Sequence, residues 1–420
     1  MDGRHATVKE IERTVLHVPF HPRCARTMQV YGPGWGVVEL CRVTTAAGVV
    51  GIGETIQGYT WGRSGPAEFA RVRGANLFDL LWDDSLGAGL QMALFDAAGK
   101  LLGVPCHRLL GPQHRDACPV SWWAQSMTPQ EWAAEAQAAV AHGFTSMKVK
   151  ARPWHDLDAQ LAAVSAAVPA HFRLDADFNG LLLGVDAAAP LLGRLEARYG
   201  CLAIVESPIP QDDVAGNALL RRKIRSPIAM HIGTPPRLSA IRAEVCDGFV
   251  LSGGARRILE DGIFCHQAHM PFWLQMVGTG LTTAFAAHFG AVLREARWPA
   301  ITCVNIYAHS LVRGLAVAGG HLAVPAGPGL GVELDAEALE RYRVADDYRV
   351  PAVRQIHALR WPHGQTSFFP DGRYRNDFAS GRITGFVPGI ALEIRVDDGS
   401  EAFAREYREL FPGRSAETGG

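Results

Sequence analysis

The chain has 420 residues, 48% of them hydrophobic, and a formal net charge of -1 at neutral pH. That length supports a large buried core and two or three domains, and the balanced charge argues against a general attraction to nucleic acid or to an anionic membrane. No run approaches the roughly 18 apolar residues that a membrane span needs, which leaves a soluble protein that handles small molecules.

From the N-terminus, "MDGRHATVKEIERTV" shows no apolar signal region. Residues 5–55 read as strands, with "TAAGVV" as a hairpin turn, and residues 67–111 read as helices. From Cys118 the pattern changes to short apolar runs: "CPVSWW" (118–123), "SMKVK" (146–150), "FRLDAD" (172–177), "CLAIVE" (201–206), "PIAMH" (227–231), "CDGFVL" (246–251), "PFWLQ" (271–275) and "ITCVN" (301–305). Amphipathic stretches such as "PQEWAAEAQAAVAHG" and "TTAFAAHFGAVLREA" lie between most of them. Eight strands alternating with helices predict an α/β fold of the (β/α)8 barrel kind rather than an open sheet. After residue 330 the chain is strand-like and charged again, and "SAETGG" reads as a disordered tail. The eight cysteines are scattered without a CxxC pair, and several sit in apolar runs. They read as reduced core residues of a cytoplasmic protein.

In such barrels the chemistry sits at the C-terminal ends of the strands. The residues ending the runs are Lys148 and Lys150, Asp175 and Asp177, Glu206, His231, Gln275 and Asn305. Each alone could be a satisfied structural group, but polar residues closing so many consecutive apolar runs are hard to explain as packing. Lys148 and Lys150 point to one face of their strand. A lysine works as a general base only when neutral, which near neutral pH means lowering its pKa by roughly 3 pH units, about 4 kcal/mol. Burial and a second lysine both push that way. Lys150, nearer the strand end, is the expected base. Lys148 would depress its pKa or bind a substrate carboxylate; alternatively one lysine snorkels and the other pairs with Asp175. Asp177 and Glu206 lie one βα unit apart on neighbouring strands. Two carboxylates that close need a cation between them, either a divalent metal or the two lysines.

Together "MKVK", "DADFNG", "VESPIP", the "GG" of "LSGGARR", "LQMVGTGLTTAFAAHFGA" and "PAGPGLGVELD" resemble the enolase superfamily, in its mandelate racemase/muconate lactonizing enzyme branch. The resemblance covers most of the chain. It implies a modified TIM barrel over residues 118–330, capped by an α+β domain built from residues 1–117, to which a C-terminal segment, 331–420, returns. It also implies a lysine that removes the proton α to a carboxylate, and a Mg2+ ion held by three acidic groups that stabilises the enediolate. Lys150 matches the second lysine of the K-x-K pair, and Asp177 and Glu206 match the first two metal ligands, with Asp175 a competing assignment. "DFNG" resembles the form seen in acid-sugar dehydratases.

Two departures stand out. Where a third acidic ligand is expected the sequence has "PIAMHIGTPP". His231 could ligate Mn2+ or another transition metal, replace part of the metal's charge, or deliver a proton to a leaving hydroxyl. A second base is also missing: strand 6 offers only Asp247, one residue out of step, strand 7 offers Gln275, and His288 falls inside a helix. One-base chemistry survives. The expected activity is therefore dehydration of a hydroxy or sugar acid, a lyase reaction, with a racemase, epimerase or cycloisomerase as the alternative and a metal-free small-acid binder as a third. The loops "PFHPRCARTM" and "TIQGYTWGRSG" would select the substrate, with Arg23, Tyr59 and Trp61 joined by Trp123, Gln275 and Asn305 in binding it. The expected partner is a small carboxylic acid, with no nucleic acid or membrane, and the resemblance implies a homo-oligomer.

Overall fold

A computed structural model describes residues 3–57 and 61–413. The N-terminal region folds as an antiparallel meander of β1 (Val8–His17), β2 (Val37–Thr45) and β3 (Val50–Ile56), covered by the helix Ala88–Leu102. Gly51 and Gly53 explain the close fit. A Cβ on Gly51 would stand 2.1 Å from Ala93 O, and one on Gly53 2.2 Å from Gly89 O, so only glycine lets the helix lie directly on the strand.

The apolar runs that follow become β4 (Ala117–Ala124), β5 (Ser146–Lys150), β6 (Arg173–Asp177), β7 (Leu202–Glu206), β8 (Ile228–His231), β9 (Gly248–Leu251), β10 (Phe272–Leu274) and β11 (Ala300–Ile301). Each pairs in parallel with its predecessor from β5 to β10. Then β11 pairs in parallel with β4, and a bridge between Gln275 and Ile301 joins it to β10, so the sheet closes into an eight-stranded barrel. Local sequence sets the helix limits. Thr128 and Glu131 form a reciprocal capping box at the start of Pro129–Ala141, and Gly143, at φ +82°, turns the chain out of it. The short helix Val214–Arg221 fills the connection from β7 to β8.

Buried carboxylates fasten cap to barrel. Glu54 of β3 accepts from Thr279 Oγ1 and from Thr282 N (2.9 Å) at the start of the helix Gly280–Val292. Asp96 accepts from Ile52 N (2.9 Å) and from Leu330 N (2.7 Å) in "PAGPGLG". Such groups are costly to bury unless they are bonded, and these are.

Beyond the barrel, the helix Ala336–Tyr342 and the stretch after it lie against β1, with Arg343 bridged to Leu16. Residues 355–411 then form a separate small module. The strand Gln355–Arg360 runs between Thr366–Phe369 and Ala391–Val396, all antiparallel, with the helices Tyr374–Ala379 and Glu401–Leu410. Its main core joins Leu359, Tyr374, Phe378 and Leu392 to Trp154, a barrel residue from the loop after β5. The segment "SAETGG" lies outside the described residues. The eight cysteines are buried and unpaired, and among the described residues no helix is long and apolar enough to cross a membrane.

Candidate active site

Parallel register assembles the site. Lys148 stands opposite Asp175, Lys150 opposite Asp177, and Asp177 opposite Glu206, so strand alternation delivers all five side chains to one face. Lys148 Nζ contacts Glu206 Oε2, lies 3.7 Å from Asp177 Oδ2 and donates to Gln275 Oε1 at 2.8 Å. Lys150 Nζ lies 2.5 Å from Asp177 Oδ2 and 3.3 Å from Asn179 Oδ1. His231 Nε2 lies 3.1 Å from Glu206 Oε1. The amine of Lys148 also sits 5.1 Å from the centre of the Trp273 ring.

Burial alone would lower both lysines. For Lys148, the Glu206 and Asp177 carboxylates outweigh it and hold the ammonium above the ordinary lysine value. For Lys150, burial prevails over the pull of Asp177, helped by repulsion from Lys148 and Arg152, and the pKa falls below that value. Burial would likewise raise Asp177, but Lys150, Lys148 and Arg152 hold its carboxyl well below the usual carboxylate range. Asp175, one step deeper, lacks enough compensation. Burial pushes it up to about 7 despite Lys148, and its Oδ2 has no hydrogen-bond partner among the described residues.

Neither Arg152 nor Asn179 was singled out from the sequence as a site residue. Arg152 Nη1 donates to Asp177 O at 2.9 Å and its Nη2 donates to Asn179 Oδ1, while Asn179 N donates to Asp177 Oδ1 at 2.9 Å. Both follow a strand end by two residues, in "KVKAR" and "DFN", and that spacing was their signal.

The opposite side of the mouth holds a cavity of about 380 Å3 between the ends of β8, β9 and β10, lined by His231, Ser252, Arg257, Gln275 and Trp61. Other expected binding residues stand elsewhere. Arg23 lies 5.2 Å above Trp122 and is paired with Glu135 at 3.1 Å on the barrel's outer side, because Trp122 points outward and its Nε1 donates to the same carboxylate at 2.7 Å. Trp123 is buried beside Trp35, with ring centroids 5.7 Å apart. Asn305 is engaged in a two-way bond with the Trp123 backbone, accepting from N at 3.1 Å and donating to O at 2.8 Å, so it splices β4 to the turn after β11. His288 is buried and bonded to Leu330 O at 3.1 Å. Tyr59 lies outside the described residues.

The donor set does not fit the expected divalent ion. Asp177 and Glu206 face each other, but the Lys148 ammonium lies against both, and β8 ends in an imidazole that lies on Glu206 rather than in a third carboxylate. Among the described residues no three His, Cys, Asp or Glu side chains gather as a metal site.

A closed (β/α)8 barrel with an acid–amine cluster at its rim and a β-sheet cap defines the class: the chain matches the enolase C-terminal domain-like family, and its relatives are those of the mandelate racemase/muconate lactonizing enzyme branch of the enolase superfamily. The model of the enolase C-terminal domain-like family matches residues 131–338, ending before the module 355–411. Muconate cycloisomerase 1-1 of Acinetobacter lwoffii is 27% identical over 80% of this chain and 96% of its own length. D-galactonate dehydratase of Ralstonia nicotianae is 28% identical over 64% of this chain and 76% of its own. An enolase from Thermobispora bispora, solved with magnesium and formate, superposes with a TM-score of 0.65 at 22% identity over 80% of this chain and 92% of its own. The chain is thus similar to enzymes of this superfamily, both isomerases and dehydratases, that act on small carboxylic acids.

Proposed function

We propose that this barrel dehydrates a hydroxy or sugar acid, with Lys150 as the base that removes the proton α to the carboxylate and His231 as the acid that protonates the departing hydroxyl. The observation that carries the reading is the opposite treatment of two adjacent lysines. Lys150, 18% exposed, has its pKa lowered, whereas Lys148, 1% exposed, is held as an ammonium between two carboxylates. One amine is prepared to take a proton and the other to keep its charge beside the developing enediolate.

In a 2,3-dihydroxy acid the C–H electron pair becomes the Cα–Cβ double bond and the Cβ–O bond breaks. The hydroxyl leaves as water with a proton from His231, and the resulting enol tautomerises to a 2-keto acid. Glu206 Oε1 lies 3.1 Å from His231 Nε2, which places a carboxylate beside the imidazole. Among the described residues lining the β8–β10 side there is no lysine to serve as a second base, which favours one-sided elimination over racemisation. Cycloisomerisation is also one-sided, and the similarity to muconate cycloisomerase favours it as the second reading.

Incubation with hydroxy acids and, in parallel, with unsaturated dicarboxylic acids in D2O separates the two. A 2-keto acid appearing with loss of water supports dehydration, and a ring-closed isomer supports cycloisomerisation. Lys150→Met is expected to abolish both product formation and α-deuterium exchange. Exchange retained by that variant would remove Lys150 as the base.

A further inference from the structure

The cavity on the β8–β10 side is lined by groups that share one chemical character. Arg257 brings a fixed positive charge, Ser252 a hydroxyl and Trp61 an indole N–H, and His231 stands at the inner edge. The Trp61 Nε1 atom is buried and has no acceptor among the described residues. No Asp or Glu occurs among the described lining residues. The nearest carboxylate to the Arg257 guanidinium is Asp261, with Nε to Oδ2 at 3.6 Å, and Asp261 is already bonded to Arg237 at 2.8 Å. Two guanidiniums thus share one carboxylate, which leaves Arg257 only partly paired on the cavity wall beside a donor without an acceptor, and an acceptor-rich anion would complete both.

The placement of Arg257 is built in by the cap. It lies in the first turn of the helix Ala255–Gln267, whose leading N–H groups are satisfied from the capping domain. Gln91 Oε1 accepts from Ala255 N, and the two Asp84 oxygens accept from Arg256 N and Arg257 N, each at 3.0 Å. The pair of glycines before the helix makes this possible. A Cβ on Gly254 would fall 2.3 Å from Asp84 Cγ, and Gly253, at φ +128°, lets the Arg257 chain cross it, where a Cβ would meet Arg257 Cδ at 3.0 Å. The cap thus fixes the start of this helix and with it the arginine on the cavity wall.

We infer that the substrate is a dianion: beyond the carboxylate that reacts near Lys150, it carries a second carboxylate seated on Arg257 and the Trp61 indole N–H. This rests on the reading of the mouth given above and adds a substrate class to it. Arginine suits the role because its planar fork meets a carboxylate with two parallel hydrogen bonds, which a lysine does not reproduce.

The probes are succinate, glutarate and adipate, each beside the monocarboxylate of equal carbon number, with binding to the full-length protein measured by calorimetry. At least one dicarboxylate is expected to bind about tenfold or more tightly than its monoacid. Arg257→Met should erase that preference, Arg257→Lys should restore part of it, and Trp61→Phe should weaken the dicarboxylate by a smaller factor. If no dicarboxylate outbinds its monoacid, or if the preference survives Arg257→Met, the inference is wrong. Lys150-dependent deuterium exchange is read separately. Its absence would overturn the proposed reaction without touching an Arg257-dependent preference, and a missing preference would leave the exchange result standing.

Discussion

Across the barrel mouth, the β5–β7 side holds Lys148, Asp177 and Glu206 at almost no exposure, whereas the β8–β10 side keeps the His231 side chain 38% exposed beside an open cavity. The first side is also covered from outside. Arg375 of the C-terminal module lies 4.3 Å from the Tyr31 ring centre, Trp154 Nε1 donates to Tyr31 Oη at 3.2 Å, and Phe386 packs 5.6 Å from Phe178 just past β6. Nothing comparable covers the cavity among its described lining. The contrast teaches a division of labour. Proton chemistry is placed where low dielectric strengthens every charge, and recognition is placed where a ligand can enter.

Removing the central cation should break that contrast most severely. Lys148→Met leaves Asp177 with one amine and Glu206 with none of its amine contacts in a dry wall, and uncompensated buried charge typically costs about 3–5 kcal/mol. Urea denaturation should show a loss of that size, while His231→Ala, on the wetter side, should cost under about 1 kcal/mol. Equal losses would mean that the two sides do not differ in hydration.

Next in size is a pH effect that reports on the dryness of the first wall. The Asp175 carboxyl lies at about 7 in the fold, above its unfolded value of about 3.9, so the folded state binds this proton more tightly. Its contribution is most favourable below about pH 4 and declines as pH rises to about 7, by up to about 4 kcal/mol. Asp177 has the opposite sign: its depressed carboxyl stabilises the fold above about pH 4, and that contribution is lost in acid. Asp175→Asn should therefore gain on the wild type steadily between pH 4 and 7 in denaturant melts. A constant difference across that range would show that Asp175 titrates normally.

Much of this wall was legible in the sequence, because strand periodicity is a strong signal and the polar residues ending the apolar runs share a face. "MKVK", "DAD" and "VE" therefore came together as alternation requires. The open side was harder to read. Arg257 lies several residues past its strand, on a helix whose start depends on Asp84 and Gln91 from the cap, and no local pattern announces a contact that distant. Asn305 and Arg23 had the right chemistry, but tertiary partners claimed it: the Trp123 backbone for one and Glu135 for the other. The metal expectation followed from the facing carboxylates Asp177 and Glu206 together with the family resemblance, and neither distinguishes an ion from the Lys148 ammonium between them.

The C-terminal module offers a smaller and more local effect. Arg375→Ala removes a guanidinium stacked on Tyr31 and near Trp154, worth about 1–2 kcal/mol where such contacts are shielded from water. Hydrogen exchange should speed up in the helix Ala25–Tyr31 while β1 and β2 stay protected. Unchanged exchange in that helix would mean the module rests on the wall without holding it.

The finest test converts one side toward the other. His231→Asp puts a third carboxylate at the end of β8, beside Glu206 and Asp177, and gives an oxygen-preferring ion the donor that the natural residue withholds. The new acid also competes for the Lys148 and Lys150 amines, so a cation can displace them from the carboxylates they now hold. Mn2+ binding followed by electron paramagnetic resonance should be at least about tenfold tighter in the variant than in the wild type, a gain of about 1.4 kcal/mol. The signal requires no turnover and no knowledge of the substrate. Wild-type protein that binds Mn2+ as tightly as His231→Asp would show that the two lysines swing aside for a metal, and that the dry wall is one state of the site rather than its resting design.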